Sequence, residues 1–139
     1  MGLFDMFGKG GGTLSFELEG ELATCGEPFR GILVFTGGKR AQKIEGMQIW
    51  FADTQGEGSE ETMLWAPTKI ALTDTIQPGE TKRFPFEVTV PKASQTTVNG
   101  QALKVFWIRG SLDIPKEIDP QGKAPIRLAG TLDAAVTIG

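Results

Sequence analysis

From Arg83 to Val90 the chain alternates without interruption: Phe84, Phe86, Val88 and Val90 are apolar, and Arg83, Pro85, Glu87 and Thr89 lie among them. Successive side chains of an extended chain point to opposite faces, so this stretch is predicted to be a strand with one face buried and the other in water. A turn signal, Gln77-Pro78-Gly79-Glu80, precedes it and Pro91 stops it. A half-buried strand needs other strands beside it and a second layer above its apolar face, so the fold must be built from sheets.

Shorter versions of the pattern recur. Leu14, Phe16 and Leu18 alternate with Ser15, Glu17 and Glu19, and a turn at Cys25-Gly26-Glu27-Pro28 leads into an apolar run from Phe29 to Thr36. Gly37 and Gly38 are expected to supply the positive φ angles of a tight hairpin. On the returning strand Met47, Ile49 and Phe51 share a face, while Ile44 has the opposite parity with Gly46 between, which predicts a bulge. Asp53 to Thr62 offers nothing apolar to bury and reads as an exposed acidic loop. Short strands over 63–66 and 69–73 are separated by Pro67, which cannot donate to a ladder. Over 102–109, Leu103, Val105 and Trp107 lie on one face and Phe106 and Ile108 on the other, the pattern of a central strand covered on both sides. Ile126 to Leu128 and Leu132 to Ile138 close the sheets. About eight or nine short strands, without an amphipathic helix of three turns, predict an all-β, two-sheet sandwich.

The 139 residues are the size of one domain, expected to span 13–139. Residues 1–12 read as a separate element, with an apolar head (Leu3, Phe4, Met6, Phe7) and a flexible tether from Gly8 to Gly12. The net charge of −3 is spread evenly, leaving no basic field to bind nucleic acid by counterion release. The lone Cys25 has no partner for an internal disulfide, the N-terminus lacks the pattern of a secretory leader, and no run approaches the ~18 apolar residues of a membrane span. These features together predict a cytoplasmic protein.

Two segments, 78–91 and 105–120, together look like an arrestin-like (immunoglobulin-like) β-sandwich. They resemble the bacterial sporulation-control family, the stage-zero M proteins. The order of Leu3 to Phe7, Leu14 to Leu18, Gly26-Glu27, Phe29 to Phe35, Gly37-Gly38 and Ile44 to Phe51 is similar to the opening of that family. So are the Phe84-Pro85-Phe86 unit with Pro91 and the Leu112-Asp113-Ile114 unit with Asp119-Pro120. Members associated with sporulation carry a second domain beyond this point, and Lys92 to Gly100 lacks a second proline expected there. The resemblance implies a non-enzymatic interaction protein acting in stress or developmental control.

The chain has no histidine, which removes Ser-His and Cys-His nucleophile pairs and leaves too few N or S ligands for zinc. Asp113, Glu117 and Asp119 could hold a hard cation, but carboxylates beside Pro115 and Pro120 are more simply turn caps. The acidic loop from Asp53 to Glu61 does not follow EF-hand spacing, and Gly8-Lys9-Gly10-Gly11-Gly12 lacks the Gly-Lys-Ser/Thr ending and following helix of a phosphate loop. No cofactor is implied. Three elements are left as candidates. The apolar head Leu3, Phe4, Met6 and Phe7 could dock on a protein partner or enter a membrane surface. Sheet edges could add a strand from a partner or from a second copy. Arg109, on the same predicted face as Trp107, should reach solvent or pair with an acid, Asp113 or Asp133; the resemblance to arrestin-fold proteins implies that such a pair could serve as an ion-pair latch. Lys39, Arg40 and Lys43 form a small basic cluster that could join the head on anionic lipid. The leading expectation is a protein-binding adaptor; a peripheral membrane scaffold is second, and a calcium- or carbohydrate-binding sandwich a distant third.

Overall fold

Each alternating stretch becomes a strand in the computed structural model, which describes residues 11–56 and 60–139. In chain order the strands are β1 (Gly12–Leu18), β2 (Leu22–Thr24), β3 (Pro28–Gly37), β4 (Gln42–Ile44), β5 (Gly46–Gln55), β6 (Thr62–Met63), β7 (Thr68–Ile70), β8 (Asp74–Ile76), β9 (Thr81–Thr89), β10 (Ser94–Val98), β11 (Gln101–Ala102), β12 (Lys104–Asp113), β13 (Gln121–Ala129) and β14 (Leu132–Val136). Among the described residues no helix is long and apolar enough to cross a membrane.

Two sheets make the sandwich. The smaller has the order β1-β3-β9 and is antiparallel throughout, with Leu14 opposite Phe35 and Leu33 opposite Phe84. The larger runs β2-β13-β12-β5-β6, with β7 beside β6 on the same edge of β5. Its centre is the β5–β12 ladder, paired from Gly46 with Asp113 to Gln55 with Lys104. The inward faces meet in a core of Phe29, Leu33, Phe35, Phe84, Phe86 and Val88 from one sheet against Met47, Ile49, Phe51, Phe106, Ile108, Leu112 and Ile126 from the other. Phe29 and Phe51 meet across the layers edge to face, with ring centroids 6.4 Å apart. Each such side chain contributes about 1.5–3 kcal/mol by leaving water.

Two glycines let the layers close. A Cβ on Gly110 would lie 2.9 Å from Phe16 Cζ, so the β1 ring seats directly on the β12 backbone. A Cβ on Gly122 would lie 2.8 Å from the Leu14 carbonyl oxygen, where β13 passes against β1 at the corner of the sandwich.

The chain changes sheets where sequence reasoning placed a hairpin. Gly37 and Gly38 do not adopt positive φ; Gly37 ends β3 opposite Gly12, and its missing Cβ makes room for the Gln77 carbonyl, 2.7 Å from where that atom would be. The following β4 pairs with β8 and not with β3. The parity change near Gly46 is likewise not a bulge. It marks the passage from β4 to β5 in another sheet, with Glu45 N–H donating to the Asp113 carbonyl. The expected turns at Gly26 and Gly79 form, each with positive φ at the glycine.

A third sheet, β11-β10-β14, stands apart from the core. Here β10 and β14 run parallel, with Ser94 opposite Leu132 and Val98 opposite Val136. Sequence alternation did not reveal β2, β8, β10 or β11, which are short or polar.

Candidate functional site

By alternation, Gln48, Trp50, Ala52 and Thr54 of β5 face outward beside Ser111, Arg109, Trp107 and Val105 of β12, and Gln121, Lys123 and Pro125 of β13 continue the rows. This outer face is not simply solvated. Ala52 is fully buried although it points away from the core, so side chains cover the sheet here too. Trp107 donates its indole N–H to Thr54 Oγ1 at 3.1 Å, and Lys123 Nζ lies 4.7 Å from the Trp107 ring centroid. Arg109 Cζ lies 5.9 Å from the Trp50 ring, within reach of a cation–π attraction.

Arg109 organises the face. Its Nη1 donates to Glu61 Oε2 at 2.9 Å and its Nη2 to Gln121 Oε1 at 2.7 Å. The acid it was expected to find is therefore Glu61, not Asp113 or Asp133. Asp113 lies exposed at the far end of β12, opposite Gly46. Asp133 lies on β14 in the third sheet, where it accepts from Thr131 Oγ1. The pair is partly withdrawn from water, with the Arg109 side chain 17% exposed and that of Glu61 29%. Arg109 Nε is buried with no hydrogen-bond partner among the described residues, an unmade bond that costs about 1–3 kcal/mol.

Glu61 is not identifiable from the sequence, because an acidic stretch with nothing apolar to bury reads as a solvated loop. That reading also fails at Asp53, which is 6% exposed and lies 3.8 Å from Lys104 Nζ. The available signal was the alternation itself: Arg109 shares a face with Trp107, and a half-buried guanidinium requires an acceptor. Residues 57–59 of the acidic stretch lie outside the described residues.

The outer face of the smaller sheet is held differently. Arg83 Nε and Nη2 donate to Glu17 Oε1 and Oε2 at 2.9 and 2.7 Å, a two-pronged pair bridging β9 and β1 across β3. This contact holds the Glu17 carboxyl below the usual carboxylate range and raises Arg83 further. Lys82 Nζ donates to Asp74 Oδ1 at 2.8 Å, lowering Asp74 and raising Lys82 for the same reason.

Two further places matter for binding. All five residues of β14 are exposed, Leu132 at 78% and Val136 at 42%, and among the described residues the strand pairs only with β10. Leu132 N–H donates to the Ala93 carbonyl and the Val136 carbonyl accepts from Asn99 N–H. Backbone groups alternate in direction along a strand, so those of Asp133 and Ala135 face the open edge. At the other place, buried Gln42 donates from Nε2 to the Gly11 carbonyl and to Glu117 Oε1 and accepts from Gly38 N–H. It thereby anchors the start of β1 beside the segment carrying Lys39, Arg40 and Lys43. Leu3, Phe4, Met6 and Phe7 lie outside the described residues, as does the tether through Gly10.

The loop after β12 is built by capping, with Ile114 N–H donating to Asp119 Oδ1 at 3.1 Å. Among the described residues no group of three or more His, Cys, Asp or Glu is placed to hold a metal ion.

Nothing among curated proteins matches this chain. A solved structure, the sporulation control protein Spo0M from Bacillus subtilis, aligns with 24% identity and a TM-score of 0.66 over 86% of this chain and 49% of its own, so the match spans about half of that protein. A CARDB domain of the PF1109 protein from Pyrococcus furiosus, solved in complex with di-metal ions, covers 86% of this chain and 89% of its own. Its 9% identity and TM-score of 0.46 support no conclusion. The family model described as SpoOM protein matches residues 2–134. The likeness to the Bacillus structure gives the fold, the all-β sandwich described above; the family match extends over nearly the whole sequence, and the chain belongs to the SpoOM protein family.

Proposed function

We propose that this chain is a non-enzymatic, protein-binding module of sporulation-type control, and that it engages its partner by strand addition at β14. The observation that carries the reading is the open edge of β14: five exposed residues with apolar Leu132 and Val136, and backbone groups of Asp133 and Ala135 turned outward. Natural sheets blunt such edges with charge, proline or cover, and β14 carries a single charged residue, Asp133. Main-chain bonds to an added strand give affinity, and side-chain pockets give selectivity. The absence of histidine from the sequence supports the non-enzymatic part, and a control role accords with the name of the Bacillus protein.

The test uses Ala135→Pro, which removes an outward N–H without touching a bond to β10. Wild type and variant are compared for partner capture from native cytosol, read by mass spectrometry. Partners lost with Ala135→Pro support the reading; identical partners for both remove it.

A membrane-surface reading has one specific observation in its favour. The contacts of Gln42 bring the start of β1 next to Lys39, Arg40 and Lys43, so the apolar head would enter the fold beside a basic cluster. Substituting Leu3, Phe4, Met6 and Phe7 by Ser should then abolish co-sedimentation with vesicles containing phosphatidylserine. If the wild type does not sediment with them, this second reading falls.

A further inference from the structure

The segment that satisfies Arg109 is itself weakly held. β6 has two residues and meets β5 only at Ala52 and Asp53; one further backbone bond joins Leu64 N–H to the Phe51 carbonyl. Met63 and Trp65 anchor little, being 47% and 74% exposed, and the segment's apolar hold on the core is half-buried Leu64. The side-chain tie from this segment to the outer face is the Glu61 carboxylate on Arg109.

Arg109 does not depend on that segment in return. Its hydrogen bond to Gln121 and its place over Trp50 both remain if Glu61 leaves. Departure of residues 60–65 would expose an edge of β5 beside a floor of Trp50 and Trp107 that carries two cations, Arg109 and Lys123. The unpaired Nε of Arg109 lowers the cost of such an exchange, because the closed arrangement leaves that donor unsatisfied and an opened one admits water to it.

From these features we propose that the outer face of the larger sheet is a docking site for an acidic peptide segment of a partner protein, now occupied by the chain's own residues 60–65 as a stand-in. Charge complementarity selects the occupant, since the face presents a guanidinium and an ammonium and takes a carboxylate. The resident segment, Glu60-Glu61-Thr62-Met63-Leu64-Trp65, defines the ligand further: a carboxylate followed by apolar residues, with Thr62 and Met63 antiparallel to β5 and a bend at Leu64 and Trp65. Binding displaces Glu61 and leaves the strand count of the sheet unchanged. The proposal is independent of the reading of β14, which lies in another sheet.

The test titrates a fluorescein-labelled hexapeptide, Glu-Glu-Thr-Met-Leu-Trp, into the full chain carrying Glu61→Gln, at low salt with anisotropy as readout. The variant should bind at least about ten-fold more tightly than wild type, in which Glu61 competes from within the chain. A hexapeptide with Gln for its second Glu, or a chain carrying Arg109→Lys as well, should lose most of that binding, since lysine cannot present the guanidinium fork. Equal affinity for wild type and variant overturns the proposal, and so does indifference to either change. Binding of the variant to phosphatidylserine vesicles but not to the hexapeptide overturns it in favour of a lipid headgroup. Hydrogen exchange needs no added ligand. Amides of residues 62–64 should exchange at least about ten-fold faster in Glu61→Gln while those of β12 stay unchanged, and unchanged exchange at 62–64 also defeats it.

Discussion

The β5–β12 ladder and the β10–β14 ladder belong to the same chain but are stabilised by different physics. The first places Met47, Ile49, Phe51, Ile108 and Leu112 in a core closed by the opposite sheet. The second pairs five residues in parallel and leaves every side chain of β14 exposed. Pairing alone therefore does not make a region stable; burial on a second layer does. A ladder with one open edge and little burial can exchange partners at small cost to the rest of the fold, which is what a docking strand requires.

The largest effect should come from removing a core ring. Phe35→Ala, at a fully buried position, should cost about 3–5 kcal/mol in denaturant unfolding; a much smaller loss would show that the sandwich is not the main source of stability. Gly122→Ala should cost about 1–3 kcal/mol, because the new methyl meets the Leu14 backbone and not a movable side-chain end. Acidification comes next. The carboxyls of Glu17 and Asp74 are lowered in the folded state by Arg83 and Lys82. Their contribution is thus present above the ordinary carboxylate value of about 4 and lost as pH falls below it. The melting temperature should decline over that window, and the decline should be shallower in a Glu17→Gln, Asp74→Asn double variant. An unchanged profile would remove these pairs from the account. The smallest effect should be Leu132→Ser, within about 0.5 kcal/mol because the side chain is already in water. A loss above about 1 kcal/mol would join β14 to the cooperative unit and erase the contrast between the ladders.

Much of the sandwich was legible because its strands alternate. β9 could be read residue by residue, and so could the inward faces of β5 and β12, since burial on one face leaves a period of two in the sequence. The outward row of β12 was also predictable in part. Leu103 and Val105 are in fact exposed, whereas Trp107 and Arg109 are half-buried. The failures share a cause. Gly37 and Gly38 have the composition of a hairpin, but at Gly37 the glycine serves close approach to the Gln77 carbonyl, a contact 40 residues away in sequence. Glu61 is separated from Arg109 by 48 positions, and no local pattern marks such a pair. The strand over 132–138 is legible and forms β14, but its place at the edge of a separate sheet is not, because it is set by pairing with β10 and leaves no mark on residues that bury nothing. The head was legible only as composition, and composition does not specify a binding surface.

The long interval between β5 and its neighbour β12 also has a consequence in time. Synthesis proceeds at about 5–20 residues per second, so β5 waits several seconds after its appearance before β12 emerges to cover its inner edge. During that interval the short strands β6 and β7, which follow it immediately, are the only neighbours from its own sheet yet made. A nascent chain halted before Lys104 therefore presents the apolar face of β5 with one edge shielded and the other bare, and that bare edge is where a chaperone has reason to bind.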